Sequence, residues 1–120
     1  MLIVDDNRDA ADTLGILLQL RGMETRVAYD GASAITSAEQ FRPHLIFMDL
    51  GLPNVSGYEA TRAIRMQPCG RDILIVALSG WGATADRAGS RTAGADFHLL
   101  KPIAEDQLDA FLSAVRERLR

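Results

Sequence analysis

The chain has 120 residues, of which 48% are hydrophobic, and its formal net charge is −3 at pH 7. This length corresponds to one domain with a core of useful size, and the negative charge argues against binding to nucleic acid, which requires a basic surface. A single cysteine excludes an internal disulfide and a cysteine-based metal site, while the absence of a signal-peptide pattern and of a run of about 18 apolar residues predicts a cytoplasmic domain without membrane contact.

Apolar runs alternate with helical periodicities along the whole chain. The predicted strands are 1–4, 24–29, 44–50, 73–78 and 96–100, and the predicted helices are 7–20, 32–41, 58–66, 84–92 and 103–118. Regular alternation of this kind indicates an α/β domain with a parallel sheet and right-handed crossovers. The fourth helix has few large apolar residues, which favours a mobile element. In the first helix, the spacing of Ala10, Leu14, Leu17 and Leu18 predicts the inner face.

Polar residues follow four of the predicted strands. Asp5 and Asp6 follow the first, Asp49 ends the third, Ser79 follows the fourth and Lys101 follows the fifth. The carboxyl ends of parallel strands share one edge of the sheet, where open α/β sheets bind their ligands. We therefore expect these side chains to converge. The alternative for Asp5 and Asp6 is a loop start and helix N-cap.

Three carboxylates at one edge need positive charge. At about 4 Å and an effective dielectric constant near 20, each like-charge pair costs roughly 4 kcal/mol. Mg²⁺ binds oxygen ligands from carboxylates and phosphates, and Lys101 adds a second positive charge. With Ser79 as a hydroxyl donor, these groups would suffice for Asp49 to accept a phosphoryl group, because phosphoryl transfer depends mainly on positioning and charge stabilisation.

Five motifs in this order resemble the receiver domains of two-component response regulators over the whole chain, 1–120. They are IVDDN at 3–7, MDLGLP at 48–53, GYE at 57–59, ALSG at 77–80 and LKP at 100–102. The resemblance implies a flavodoxin-like, doubly wound fold with strand order 2-1-3-4-5. It also implies that Asp49 is the phosphoacceptor and that Mg²⁺ is held by Asp6, Asp49 and the backbone carbonyl of Gly51, with Asp5 acting through a metal-bound water.

The resemblance assigns further roles around this site. Ser79 would bind a phosphoryl oxygen and move on activation, Lys101 would pair with the phosphoryl group, and the Lys101–Pro102 peptide would be cis. His98 occupies the switch position that is usually Tyr or Phe in the family; a partly buried imidazole with a satisfied hydrogen bond is the alternative.

Gly51, Gly80 and Trp81 flank the predicted site. Gly51 would leave space for water, whereas Trp81 could shield the phosphoryl group from it. A loop aromatic that covers apolar surface is the alternative for Trp81.

The resulting prediction is a signalling domain, not a turnover enzyme. It would accept a phosphoryl group from a histidine kinase or histidine phosphotransfer domain. The face formed by the fourth helix, fifth strand and fifth helix would then change its binding to an effector or kinase core. The alternatives are a Mg²⁺-dependent aspartyl-phosphate phosphatase, which the adjacent Asp5 and Asp6 and the lack of a cap region disfavour, and a phosphorylation-independent binding module.

The surroundings of the motifs resemble the receivers of hybrid sensor histidine kinases most closely. The segments 78–82 and 51–53, together with His98, carry this similarity, and Ile103 replaces the Phe common after the proline in winged-helix regulators. We expect a hybrid-kinase receiver first and a stand-alone regulator second.

Overall fold

Five parallel strands form one sheet in the order β2-β1-β3-β4-β5 in the computed structural model, which describes residues 1–80, 91 and 93–116. The strands are β1 (Leu2–Val4), β2 (Arg26–Ala28), β3 (Leu45–Asp49), β4 (Leu74–Ser79) and β5 (Phe97–Leu100), and the helices are α1 (Arg8–Gln19), α2 (Gly31–Phe41), α3 (Gly57–Arg65) and α4 (Glu105–Val115). The predicted fold class and strand order are confirmed. The predicted fourth helix, 84–92, lies outside the described residues except for Arg91, so α4 is the fifth predicted helix.

The sheet separates two apolar layers. Side chains of alternate strand residues point to opposite faces, and the three central strands are apolar on both faces, as buried parallel strands require. One layer joins Ile3, Phe47 and Val76 to α1 and α4. The other joins Met48 and Ile75 to α2 and α3. Both faces of the sheet are therefore covered, and its carboxyl edge is where polar groups can gather.

Side chains just before α1 and α3 fix where those helices begin. Asn7 Oδ1 accepts the N–H of Ala10 at 3.1 Å and caps α1, and Ser56 caps α3 in the same way. The N-cap interpretation of Asp5 and Asp6 is therefore wrong, because Asn7 has that role. Both carboxylates stay in the turn between β1 and α1.

The inner face of α1 matches the predicted one in part, since Leu14, Leu17 and Leu18 pack on the core. Ala11, Gly15 and Leu18 are buried, Leu14 is half-buried, and Ala10 is exposed. The buried positions are four and three residues apart, which is one helical stripe. The prediction followed the larger apolar side chains and so overlooked Gly15. A Cβ added there would lie 3.5 Å from Ile3 Cδ1, an ordinary contact distance, so this position faces the side chains of β1.

Arg65 at the end of α3 connects this helix to the beginnings of two strands. Its Nη1 donates to the carbonyls of Gly70 and Ile73, and its Nε donates to the carbonyl of Gly94 at 2.9 Å. Its Nη2 pairs with Asp96 Oδ2 at 2.7 Å. One guanidinium thus satisfies three carbonyls and a carboxylate at the approaches to β4 and β5.

Replacing Arg65 by Met should lower the free energy of unfolding by about 1.5–3 kcal/mol, the range for hydrogen bonds to a charged group. Urea denaturation measures this loss. Arg62→Met is the matched control, since Arg62 is an exposed arginine of the same helix, and should change stability by less than about 0.5 kcal/mol. Equal losses for the two variants would contradict the connecting role of Arg65.

Candidate functional site

Three carboxylates meet at the carboxyl edge of the sheet. One oxygen each from Asp5, Asp6 and Asp49 lies within 4.8 Å of the others. The register explains this, because Val4 of β1 pairs with Met48 of β3 and the next residue on each strand is an aspartate. Asp5 is 3% exposed and Asp49 4% exposed, whereas Asp6 faces solvent. Two of the three charges are therefore buried.

Backbone N–H groups orient the two buried carboxylates. Asp49 Oδ1 accepts the N–H of Gly51 at 2.9 Å, and Asp5 Oδ1 accepts the N–H of Asn7 at 3.0 Å. In both cases the chain turns back on an aspartate two residues earlier, which is typical of Asp at the start of a turn. The Oδ2 atoms point to a shared partner.

That partner is Lys101, which follows β5. Its Nζ lies 3.2 Å from Asp5 Oδ2 and 3.3 Å from Asp49 Oδ2. The backbone N–H of Lys101 donates to the carbonyl of Ser79 at 2.8 Å, so its position is tied to the end of β4. The Lys101–Pro102 peptide is cis, as the resemblance implied. The lysine thus bridges two carboxylates from two other strands.

Burial raises the pKa of the Asp49 carboxyl above its ordinary value, and the nearby Asp5 charge adds to this, while the Gly51 N–H and the Lys101 ammonium partly offset it. Burial would lower the pKa of Lys101, but Asp49 and Asp5 outweigh it and the pKa of Lys101 is raised. The lysine therefore stays charged, and one ammonium faces more than one carboxylate. The site has an excess of negative charge.

The donor atoms of the cluster suit a hard divalent cation. All three side chains of Asp5, Asp6 and Asp49 offer carboxylate oxygen. Oxygen donors of this kind suit Mg²⁺, whereas zinc sites typically use His and Cys. The excess negative charge described above favours the same ion, so the residues fit the magnesium site that the resemblance implied.

Ser79 and His98 form a second polar pair beside the carboxylates. Ser79 ends β4 and is 2% exposed, and its Oγ lies 2.6 Å from His98 Nε2 on β5. His98 is half-buried. The alternative of a partly buried imidazole with a hydrogen-bond partner is thus confirmed, and that partner is the other predicted switch residue.

Two of the three residues predicted to flank the site lie within the described part of the chain. Gly80 is exposed directly after β4, and Gly51 is exposed beside Asp49. Trp81 lies outside the described residues.

Gly57 has a role at the site that the sequence reasoning overlooked. A Cβ there would lie 2.2 Å from the carbonyl oxygen of Asp49 and 2.7 Å from Leu50 Cα. Only glycine lets the start of α3 come so close to the backbone at the end of β3. The available signal was a glycine at the first position of a helix already capped by Ser56.

The family model for the response regulator receiver domain matches residues 1–113. The chain belongs to this family. Among curated relatives, the DNA-binding response regulator MtrA of Mycolicibacterium paratuberculosis is 34% identical over 120 residues, which are 100% of this chain and 51% of that protein. The receiver domain thus spans about half the length of this relative.

Solved receiver structures share the fold. The receiver domain of the sensor histidine kinase PA1611 from Pseudomonas aeruginosa PAO1 is 35% identical with a TM-score of 0.85, covering 94% of this chain and 93% of that one. Its structure holds a magnesium ion in the active site cleft. The chemotaxis protein CheY4 of Vibrio cholerae is 29% identical with a TM-score of 0.88 and covers 95% of each chain.

Within the described residues, none of the receiver's helices has the length and apolar character needed to cross a membrane.

Replacing Asp49 by Asn should stabilise the metal-free receiver near neutral pH. Because the pKa of Asp49 is raised in the folded state, its ionisation destabilises the fold as the pH rises from the usual carboxyl range, about 4, through the raised pKa. The gain should vanish below about pH 4 and grow as the pH rises from there through the raised pKa of Asp49. Urea denaturation at both pH values measures it.

Glu39→Gln, at an exposed position of α2, is the control for losing one surface carboxylate and should change stability by less than about 0.5 kcal/mol at either pH. An Asp49→Asn variant that is no more stable than the parent near neutral pH would contradict the conclusion that the Asp49 charge destabilises the folded receiver.

Proposed function

We propose that this receiver domain accepts a phosphoryl group on Asp49 from the phosphohistidine of a histidine kinase or histidine phosphotransfer domain. The observation that carries the proposal is the position of the Asp49 carboxylate. It lies at a strand end, held by the Gly51 N–H, with the Lys101 ammonium 3.3 Å away and two further carboxylates within reach of the same cation.

In the proposed reaction, a carboxylate oxygen of Asp49 forms the new O–P bond while the P–N bond to the donor imidazole breaks. The electron pair of that bond stays on the imidazole nitrogen, which takes a proton from solvent. Lys101 would offset negative charge on the phosphoryl oxygens. Mg²⁺ would be held by Asp6, Asp49 and the Gly51 carbonyl, with Asp5 acting through water. When bound, the ion would supply further positive charge beside the phosphoryl oxygens.

The output would pass through the face that includes β5 and α4. Leu100 on this edge strand is 49% exposed, which leaves apolar surface for a partner. Since the chain covers about half of its curated relatives, we infer that the receiver acts within a longer cytoplasmic protein or on a separate effector. A hybrid sensor kinase is our first proposal for that context and a stand-alone regulator the second.

Phosphorylation can be tested with acetyl phosphate and Mg²⁺, followed by intact-mass spectrometry. The receiver should gain one phosphoryl group, and Asp49→Asn should gain none. Glu39→Gln should be modified like the parent, because Glu39 is an exposed α2 residue outside the site. An adduct that persists in Asp49→Asn would overturn the assignment of the acceptor. No adduct in the parent protein would favour a phosphorylation-independent binding module.

Magnesium binding can be tested separately through stability. A ligand that binds the folded state alone stabilises it by about 2.7 kcal/mol at one hundred times its dissociation constant. Mg²⁺ should therefore raise the urea midpoint of the receiver, and Asp6→Asn should remove most of the gain. Asp6 is exposed, so this variant should fold normally. Equal Mg²⁺ stabilisation of the parent and Asp6→Asn would contradict the assigned ligand.

A further inference from the structure

The hydrogen bond between Ser79 and His98 is held by regular structure. In the β4–β5 ladder, His98 pairs with Ala77, two residues before Ser79, so all three residues share one face of the sheet. The backbone of Lys101 donates to the Ser79 carbonyl at 2.8 Å. The 2.6 Å separation of Oγ and Nε2 therefore depends on strand pairing and not on a loop.

A serine hydroxyl has one proton to donate, and a neutral imidazole has one N–H. Two arrangements of this pair are possible. Either Ser79 donates to His98 Nε2, or Nε2 carries the proton and donates to Ser79 Oγ. In the first arrangement the Ser79 proton is already donated to His98 Nε2. In the second it is available to another acceptor at the sheet edge.

We propose that His98 is a positioning residue that controls which way the Ser79 hydroxyl donates. A phosphoryl group on Asp49 would require that proton and would select the form of His98 with the proton on Nε2. The inference rests on the proposed function, because it needs a phosphoryl group at Asp49. By linkage, stabilising the Nε2–H form favours the phosphorylated state by the same factor.

The chemistry of residue 98 matters here more than its size. A phenylalanine ring would fill the same space but has no donor or acceptor. A glutamine side chain offers both an N–H donor and an oxygen acceptor, as the imidazole does across its tautomers. These two replacements therefore separate space filling from control of the hydrogen bond.

The first test is nitrogen NMR of the histidine rings, with beryllofluoride and Mg²⁺ as the phosphoryl probe. On addition, His98 Nε2 should shift to the frequency of a protonated ring nitrogen. His44 is the internal control, since it is exposed at the start of β3 and should not change. An unchanged Nε2, or the same shift in Ser79→Ala, would overturn the inference.

The same sample reports separately on the proposed function. The Gly51 N–H donates to Asp49, so its resonance should move when beryllofluoride binds there. If Gly51 does not respond, the proposed acceptor site fails. If Gly51 responds and the His98 ring does not, the acceptor site stands and the role of His98 fails.

The second test is a double-mutant cycle on beryllofluoride affinity. Ser79→Ala should weaken binding about tenfold, roughly one hydrogen bond to a charged group. His98→Phe should weaken it less, because it removes the donor to Ser79 Oγ but also the acceptor that competes for the Ser79 proton, and the double variant should lose little more than Ser79→Ala. His98→Gln should stay within about threefold of the parent, since it keeps an N–H donor. Additive losses, or a Gln variant as weak as the Phe variant, would show that His98 only fills space.

Discussion

The receiver is organised around a shortage of positive charge. Asp5 and Asp49 are buried beside each other at the ends of β1 and β3, and the Lys101 ammonium bridges them. Two unit charges about 4 Å apart interact by roughly 4 kcal/mol at an effective dielectric constant near 20. The strand register and the close approach of α3 at Gly57 hold the like charges together despite this cost. A divalent cation bound by these carboxylates would relieve the repulsion.

The polar residues at this edge of the sheet lie on both of its faces. Asp49 continues the alternation of Phe47, and Lys101 that of Leu99, toward the layer of α1 and α4. Ser79 and His98 continue the other face. The Asp49–Lys101 ion pair and the Ser79–His98 hydrogen bond thus reach the same edge of the sheet from opposite faces.

The fold and the convergence of charges could be predicted from the sequence because they depend on local patterns. The buried strands are continuous apolar runs, and a parallel arrangement brings their polar ends together. Contacts between distant segments were not predictable in this way. Nothing in the local sequence marks Arg65 as a connecting residue, because its carbonyl partners depend on how the chain approaches β4 and β5. The Ser79–His98 hydrogen bond depends on side-chain rotamers across two strands.

Size was a poor guide where backbones approach closely. The role of Gly57 was overlooked, although a Cβ there would lie 2.2 Å from the carbonyl oxygen of Asp49. A glycine contributes no apolar area, so patterns of hydrophobicity do not register it. Its importance appears only when the neighbouring backbone is in place.

The bond from Lys101 Nζ to Asp5 Oδ2 spans 96 positions of the chain. During synthesis on the ribosome, the carboxylates would be in place long before the lysine that neutralises them leaves the exit tunnel. A nascent chain that ends before β5 would lack this counter-charge as well as His98. The proposed phosphoryl-acceptor site would thus be complete only when the last strand docks.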